Sequence, residues 1–366
     1  MARLHFVADC HIGNHTVFGG PLVSGLNSRC IMALSALNHA AHLAHADKAQ
    51  AFVVAGDLFD TSEPLPQQIA EVQRILDELP QVVVLRGNHD MVSSARGDHA
   101  LGPLEALKNV LVAAEPLAVR IGDTALLCVP FQTGDAREWF PEAVRRAAED
   151  TIGGDAQHRV LAFHLGVIDD RTPPYLRTAH DAVPLELVSE LMEQYDIQAA
   201  FCGNWHEHRV WQLPNKKLVQ IGATAPTGFD NPGWNYGRSA RYDTATHPAV
   251  TSNDLQGPRF FNANSLAEVT DALSHPSSAE QRFFSLKGEA AGALEQVRAM
   301  PGVTGARAVV DGEAARAATR AAATAVRKAE TLDEALSEYV AAMPVSDGVE
   351  RERVLALAKT YLGRGA

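Results

Sequence analysis

The sequence predicts an α/β (α+β) fold. Three observations predict it. Short apolar runs of strand length recur through residues 1–245, amphipathic helical stretches separate them, and five of the runs end in Asp, Asn or His. Strands of an α/β sheet that end this way carry polar side chains to their C-terminal lip, where such sheets hold ligands.

Leu4 to Ala8 is the first strand and leads into Asp9-Cys10-His11. Arg29 to Ala46 follows as a helix, with Ile31, Leu34, Leu37, Ala41 and Leu43 on one face. Ala51 to Ala55 is the second strand and ends in Gly56-Asp57; Pro66 to Leu79 is the second helix, with Ile69, Val72, Ile75, Leu76 and Leu79 at helical spacing. The third strand, Val82 to Leu85, delivers Gly87-Asn88-His89-Asp90. Val119 to Val129 reads as a hairpin turning at Gly122-Asp123, and Val160 to Phe163 is a strand ending at His164. A helix over Leu185 to Tyr195 leads to the strand Ala199 to Gly203, which opens onto Asn204-Trp205-His206-Glu207-His208. Leu218 to Gly222 is a late strand, and the Gly- and Pro-rich run from Gly228 to Gly237 is a loop over the rim.

Composition changes after residue 245. Thr246, His247, Pro248, Thr251, Ser252, Asn253 and Gly257 make 246–258 a polar, breaker-rich linker. Within 259–312, a strand over Arg282 to Lys287, a helix over Ala290 to Met300 and a strand over Ala306 to Val310 predict a small β-α-β domain. Residues 313–366 are alanine-rich and helical, with apolar stripes at Leu332, Leu336, Tyr339, Val340 and Met343 and at Val354, Leu357, Ala358, Tyr361 and Leu362.

At 366 residues, with 46% hydrophobic and 21% charged residues, the chain has the composition of a globular protein with a large core. No apolar stretch approaches the ~20 residues that span a bilayer, which argues against a membrane protein. Met1-Ala2-Arg3 passes directly into a strand, so no signal peptide is expected. Cys10, Cys30, Cys128 and Cys202 form no Cys-x-x-Cys pair, which suits a reducing, cytoplasmic setting. The net charge of −12 argues against tight stand-alone binding to nucleic acid, although bound cations would offset Asp9, Asp57 and Asp90.

The order Asp9-x-His11, Gly56-Asp57, Gly87-Asn88-His89-Asp90, His164 and a final histidine cluster resembles the calcineurin-like metallophosphoesterase superfamily. Two flanking stretches are similar to SbcD-type DNA double-strand-break repair nuclease subunits: Gly56-Asp57-Leu58-Phe59-Asp60-Thr61 with Pro64, and His180 to Pro184 through Tyr195-Asp196-Ile197. The resemblance covers about residues 1–245. It implies a β-sandwich flanked by helices, a small cap domain, and a helical tail that docks on an SbcC-type SMC-like ATPase, with a homodimer as a further form. It also implies a DNA exonuclease, with endonuclease action left open, serving repair or recombination. Two divalent ions would activate a hydroxide for in-line attack on phosphorus. Manganese is favoured by the mixed O and N donors, with iron, zinc and magnesium as alternatives.

By the same resemblance Asp57 bridges the two ions. Asp9, His11 and His208 hold the first, with a turn at Gly13 and Asn14 bringing Asp9 and His11 together; Asn88, His164 and His206 hold the second. His89 is the general acid, oriented by Asp90. Asp60 and Arg209 are expected on the substrate. The family's last motif is commonly Gly-His-x-His, whereas Asn204 follows Gly203 here. Either Asn204 stands in for the first histidine and His206 is the second, or His206 and His208 are the pair; the latter is preferred because it retains both imidazoles. Two other functions compete. A small-substrate metallophosphatase or nucleotide phosphodiesterase suits the acidic charge, and a silent scaffold would need a missing ligand.

Overall fold

The computed structural model describes residues 2–93, 98–150, 155–244, 249–275, 281–309, 337, 340 and 351–362. The chain begins β1 (Arg3–Val7), α1 (Ser28–Ala46), β2 (Ala51–Val54), α2 (Pro66–Asp77), β3 (Val82–Leu85) and β4 (Val110–Ala113). It continues β5 (Leu117–Ile121), β6 (Thr124–Val129), α3 (Ala136–Ala148), β7 (His158–His164), β8 (Gly166–Ile168), β9 (Ala182–Pro184) and α4 (Leu185–Gln194). Then come β10 (Ala199–Gly203), β11 (Arg209–Leu213), β12 (Lys216–Gln220), β13 (Arg238–Asp243) and β14 (Ala249–Asp254). Two compact units result: Met1–Phe261 with Pro276–Phe283, and Asn262–His275 with Phe284–Ala366.

In the first unit two six-stranded sheets have the orders β14-β13-β1-β2-β3-β4 and β11-β12-β10-β7-β6-β5. Side-chain alternation along each strand builds three apolar layers from these two sheets. Leu4, Phe6, Ala51, Val53, Val83 and Leu85 meet Leu126, Cys128, Val160, Ala162, Ala199 and Phe201 between the sheets. Their alternates face outwards. Val7, Phe52, Val54, Val82 and Val84 pack under α1 and α2, while Leu127, Val129, Leu161, Phe163, Ala200 and Cys202 pack under α3 and α4. These strands are therefore buried on both faces, which explains why they read as continuous apolar runs. The rings of Phe6 and Phe201 stack at 3.9 Å across the inter-sheet core. Truncating either to alanine is expected to cost about 3–5 kcal/mol.

The strands carrying the polar termini lie side by side. β1 pairs in parallel with β2, and β2 with β3, while β7 pairs in parallel with β10, where His164 stands opposite Gly203. An isolated parallel bridge between Ala8 and Ala223 joins the two sheets beyond β1 and β12. All five lips thus open on one edge.

Several expectations need correction. The segment 246–258 is not a plain linker: β14 pairs antiparallel with β13 from Arg238↔Asp254 to Asp243↔Ala249. Its polar composition reflects an edge strand, where Thr251, Ser252 and Asn253 need no apolar partner. In α1 the buried face is Cys30, Ala33, Leu34, Leu37, Ala40, Ala41 and Ala44, and Ile31 is 51% exposed. Small residues let the helix lie close to the sheet and outweigh the larger side chain. All four cysteines are buried and unpaired.

The other strands and helices are β15 (Pro258–Ala263), α5 (Leu266–Ser274), β16 (Gln281–Leu286), α6 (Gly288–Gly292), α7 (Leu294–Arg298), β17 (Gly305–Ala308) and α8 (Arg351–Leu362). Strands β15, β16 and β17 form a three-stranded sheet in that order. Helix α5, capped by the Ser265 hydroxyl on Glu268 N, was not foreseen, and the expected single helix over 290–300 breaks at Ala293. Val340 is helical and buried, but Leu332, Leu336, Tyr339 and Met343 of the first tail stripe lie outside the described residues. No helix among the described residues is long and apolar enough to cross a membrane.

Candidate metal centre

The lip of β1 is shaped by backbone strain. Asp9 and His11 take left-handed φ values of 49° and 43°, and Asp57 after β2 takes 51°. Each such residue costs about 1–2 kcal/mol. That is a large sum beside a net stability of about 5–15 kcal/mol, and it marks a place where geometry serves function. The two strained loops hold each other: Asp9 N donates to Gly56 O and His11 N to Asp57 O, both at 3.1 Å. The turn that brings Asp9 and His11 together therefore lies at those residues themselves, not at Gly13 and Asn14.

Two glycines make the convergence of side chains sterically feasible. A Cβ on Gly56, whose φ is +92°, would stand 2.1 Å from His164 Nδ1, and one on Gly87 would stand 2.1 Å from Asp57 Oδ1. Both contacts are too close for any other residue.

The ring nitrogens then fall into a common pattern. His164 Nδ1 donates to Ala55 O at 2.7 Å, and its Nε2 faces Asn88 Oδ1 at 3.0 Å and Asp57 Oδ2 at 3.2 Å. His206 Nδ1 donates to Asn231 Oδ1 at 2.9 Å, and its Nε2 lies 3.0 Å from His11 Nε2. His11 Nδ1 faces Asp60 Oδ1 at 3.4 Å, while its Nε2 lies 3.8 Å from Asp57 Oδ2. With a proton on each Nδ1, the Nε2 atoms of His164 and His11 face Asp57, and that of His206 faces His11. This is how metal-ligating histidines are held from behind. Asp9 adds a buried Oδ2 with no hydrogen-bond partner, its Oδ1 being used by Asn204 N at 2.8 Å.

Electrostatics point the same way. Burial alone lowers the His164 pKa, but the Asp57 carboxylate, with help from Asp9, raises it to about 9. His11 is likewise raised against its burial, first by Asp60 and then by Asp57 and Asp9. Asp57 is buried yet held far below the carboxylate range by His164, His11 and His89. A pocket that draws protons onto imidazoles in this way calls for positive charge. Two bare nitrogens 3.0 Å apart and an orphan carboxylate oxygen fit divalent cations bound by O and N donors. Three overlapping groups have this geometry: Asp9, His11 and His206; His11, Asp57 and His89; and Asp9, Asp57 and His164.

Five residues stand elsewhere than expected. His206 stands with Asp9 and His11, not with Asn88 and His164. His208 stands apart: its Nδ1 donates to Ile221 O at 2.9 Å, and it belongs to none of the three groups. The histidine that joins the cluster is therefore His206, two positions after Asn204. Asn204, at φ +86°, turns its amide to Asp181 O and Oδ2 at 2.9 and 3.1 Å.

Asp90 does not orient His89. Its oxygens accept from Phe59 N at 3.1 Å and Gly87 N at 2.9 Å, clamping the loops after β2 and β3. Its pKa rises to about 6 through burial and the nearby Asp57 charge. His89 is instead fixed by Nδ1 donating to Asp60 O at 2.8 Å, while its backbone N donates to Asp57 Oδ1 at 2.9 Å. Asp60 turns its carboxylate inwards to His11 and His15. Arg209 is tied to Glu207 at 2.8 Å and Asp169 at 3.5 Å.

Asn231 was missed altogether. It lies in the loop read as a rim and accepts from Thr227 as well as from His206. No periodicity or motif marks an Asn that reaches a histidine 25 positions away.

A buried cluster of carboxylates and imidazoles on a sheet edge, with an exposed histidine above it, defines a metal-dependent phosphoester hydrolase. Residues 2–209, more than half of the 366-residue chain, match the calcineurin-like phosphoesterase family, and the protein belongs to it. No curated protein matches in sequence. A crystal structure of a Thermus thermophilus protein is similar at 12% identity and a TM-score of 0.44, over 69% of this chain and 98% of that one. A Staphylococcus aureus protein named as a putative 5'-nucleotidase is similar at 14% identity and 0.40, over 70% and 54%. The purple acid phosphatase of yellow lupin seeds is similar at 12% identity and 0.41, over 60% and 43%.

Proposed function

We propose that this chain is a two-metal phosphodiesterase whose substrate is DNA. The carrying observation is the placement of His89. Its ring stands edge-on to His11 at 4.7 Å, at the exposed rim of the cluster, with Nδ1 taken by the Asp60 carbonyl. Nε2 is then the nitrogen left to serve a substrate. Doubly protonated, the ring would pass a proton from Nε2 to the departing alkoxide, the group that most needs one in ester hydrolysis.

Asp9, His11, His206 and Asp57 would hold one divalent ion, and Asp57, Asn88 and His164 the other, with manganese suiting the donors. When bound, the pair supplies charge stabilisation for the phosphate oxygens and an activated water. Asn231, Asp60 and Ala55 O keep the imidazoles turned towards the ions, and Asp90 keeps the two loops in register.

DNA as substrate is supported by the stretches Gly56 to Thr61 and His180 to Pro184, which resemble SbcD-type nucleases. The same likeness supports a role in DNA repair and an SbcC-type ATPase docked on residues 331–366. A small-substrate phosphatase is the second reading, favoured by the net charge of −12 and the paired Arg209. Purified protein with manganese or with chelator, offered linear duplex, single-stranded DNA and p-nitrophenyl mono- and diesters, separates the two. Metal-dependent cleavage of DNA and diester is expected. Monoester turnover with DNA left intact would establish the phosphatase instead. Loss of ATPase co-purification on deleting 331–366, with DNA cleavage retained, tests the partner.

A further inference from the structure

His206 is a shared wall. One side faces the cluster of carboxylates and imidazoles, and the other lines a cavity of about 400 Å³. That volume lies within the range of about 300–1,000 Å³ typical of small-ligand sites. Three aromatic residues line it: Tyr175, Trp205 and Tyr236. Tyr175, on a short helical turn, is 78% exposed. Trp205 is seated so closely on Gly166 that a Cβ there would stand 2.3 Å from the indole. Glu207 and Asp230 add carboxylates, and Arg209, the cation of the lining, is paired with Glu207. Gln220, 1% exposed, forms part of the lining, and its Oε1 meets no donor among the described residues.

Aromatic faces with carboxylate acceptors suit a planar heterocycle bearing amino groups. They do not suit a phosphate, which the carboxylates would repel. We propose that this cavity binds the unpaired nucleobase of the nucleotide whose phosphate lies on the metal cluster. This rests on the phosphodiesterase reading above and narrows its substrate to single-stranded or frayed nucleic acid. A base stacked in a duplex has both faces covered and must leave the stack to enter. Stacking on aromatic side chains tolerates any sequence, because every base has a π-face.

The test uses metal-loaded full-length protein and two diesters with the same leaving group, methyl p-nitrophenyl phosphate and the thymidine p-nitrophenyl phosphate diester. The nucleoside ester is expected to have the higher kcat/KM. Tyr175→Ala should cut that advantage about tenfold, mainly through KM, and Tyr175→Phe should restore it. Tyr175 is exposed, so its replacement leaves the core intact. Equal kcat/KM for the two esters in the unaltered protein, or an equal loss on both in Tyr175→Ala, overturns the base pocket while the phosphodiesterase reading stands. Failure to hydrolyse either ester overturns both. Independently, a fluorescent base analogue at the end of a single strand should be quenched on binding, and the same analogue inside a blunt duplex should not. Equal quenching in the two would overturn the preference for unpaired bases.

Discussion

Strand β1 carries His5 within it and His11 just beyond it, and the two buried imidazoles have opposite fates. His5 stacks on Phe52 at 5.8 Å, and neither ring nitrogen has a hydrogen-bond partner among the described residues. Burial drives its pKa down to about 4, Arg241 adds to the effect, and Asp47 only partly opposes it. The carboxylate beside it, Asp47, is taken by an arginine: Arg241 pairs with it at 2.7 Å. Around His11 the carboxylates face imidazoles, and its pKa is raised against burial. Histidine beside aspartate is thus not enough to make a metal site. What matters is whether the negative charge is already neutralised: beside His5 an arginine does so, and at the lip it stays open for a cation.

Four experiments would break or sharpen that contrast. Asp57→Asn should act most strongly, since it removes the carboxylate that faces both His11 and His164. Metal-dependent hydrolysis should fall below detection and bound metal should drop by elemental analysis; full metal content in the variant would deny Asp57 its central place. Next, His89→Asn should keep its metal but hydrolyse diesters about 10²–10⁴-fold more slowly, with a smaller loss for leaving groups of low pKa. A uniform loss across leaving groups would make His89 structural.

Smaller effects are expected behind the ligands. His206→Ala should lose metal while His208→Ala retains it, and Asn231→Ala should weaken metal affinity about 10–100-fold by freeing the His206 ring. Metal loss in His208→Ala alone would restore the other register. The smallest effect belongs to His5. Its folded pKa of about 4 lies below the ordinary 6.5, so the fold favours the neutral ring. The stability so gained is full above pH ~6.5 and is lost as the pH falls towards 4, amounting to about 2 kcal/mol between pH 7 and pH 5. Urea unfolding at the two pH values should show this drop, and His5→Phe should flatten it. An unchanged pH dependence in His5→Phe would locate the acid sensitivity elsewhere.

The strands that carry the site were legible because they are buried on both faces and so read as unbroken apolar runs. Edge strands such as β11 and β14 were not, since half or more of each faces no core and leaves no apolar signature. The same distinction holds within the site. Asp9, His11, Asp57, Asn88, His89, His164 and His206 follow directly from strand ends, and the structure brings them together. The work given to Asp60, Asp90, Arg209 and His208 did not follow, and Asn231 left no trace at all.

Sequence by itself determined the strands that feed the lip and the residue types delivered there, because periodicity is a property of neighbouring residues. Only the tertiary structure decided which imidazole meets which carboxylate. His11 and His206 are 195 positions apart, and their 3.0 Å approach depends on the spacing of two sheets and on left-handed turns at Asp9, His11 and Asn204. Such turns are single-residue events held by distant backbone partners, so no run of neighbouring residues encodes them.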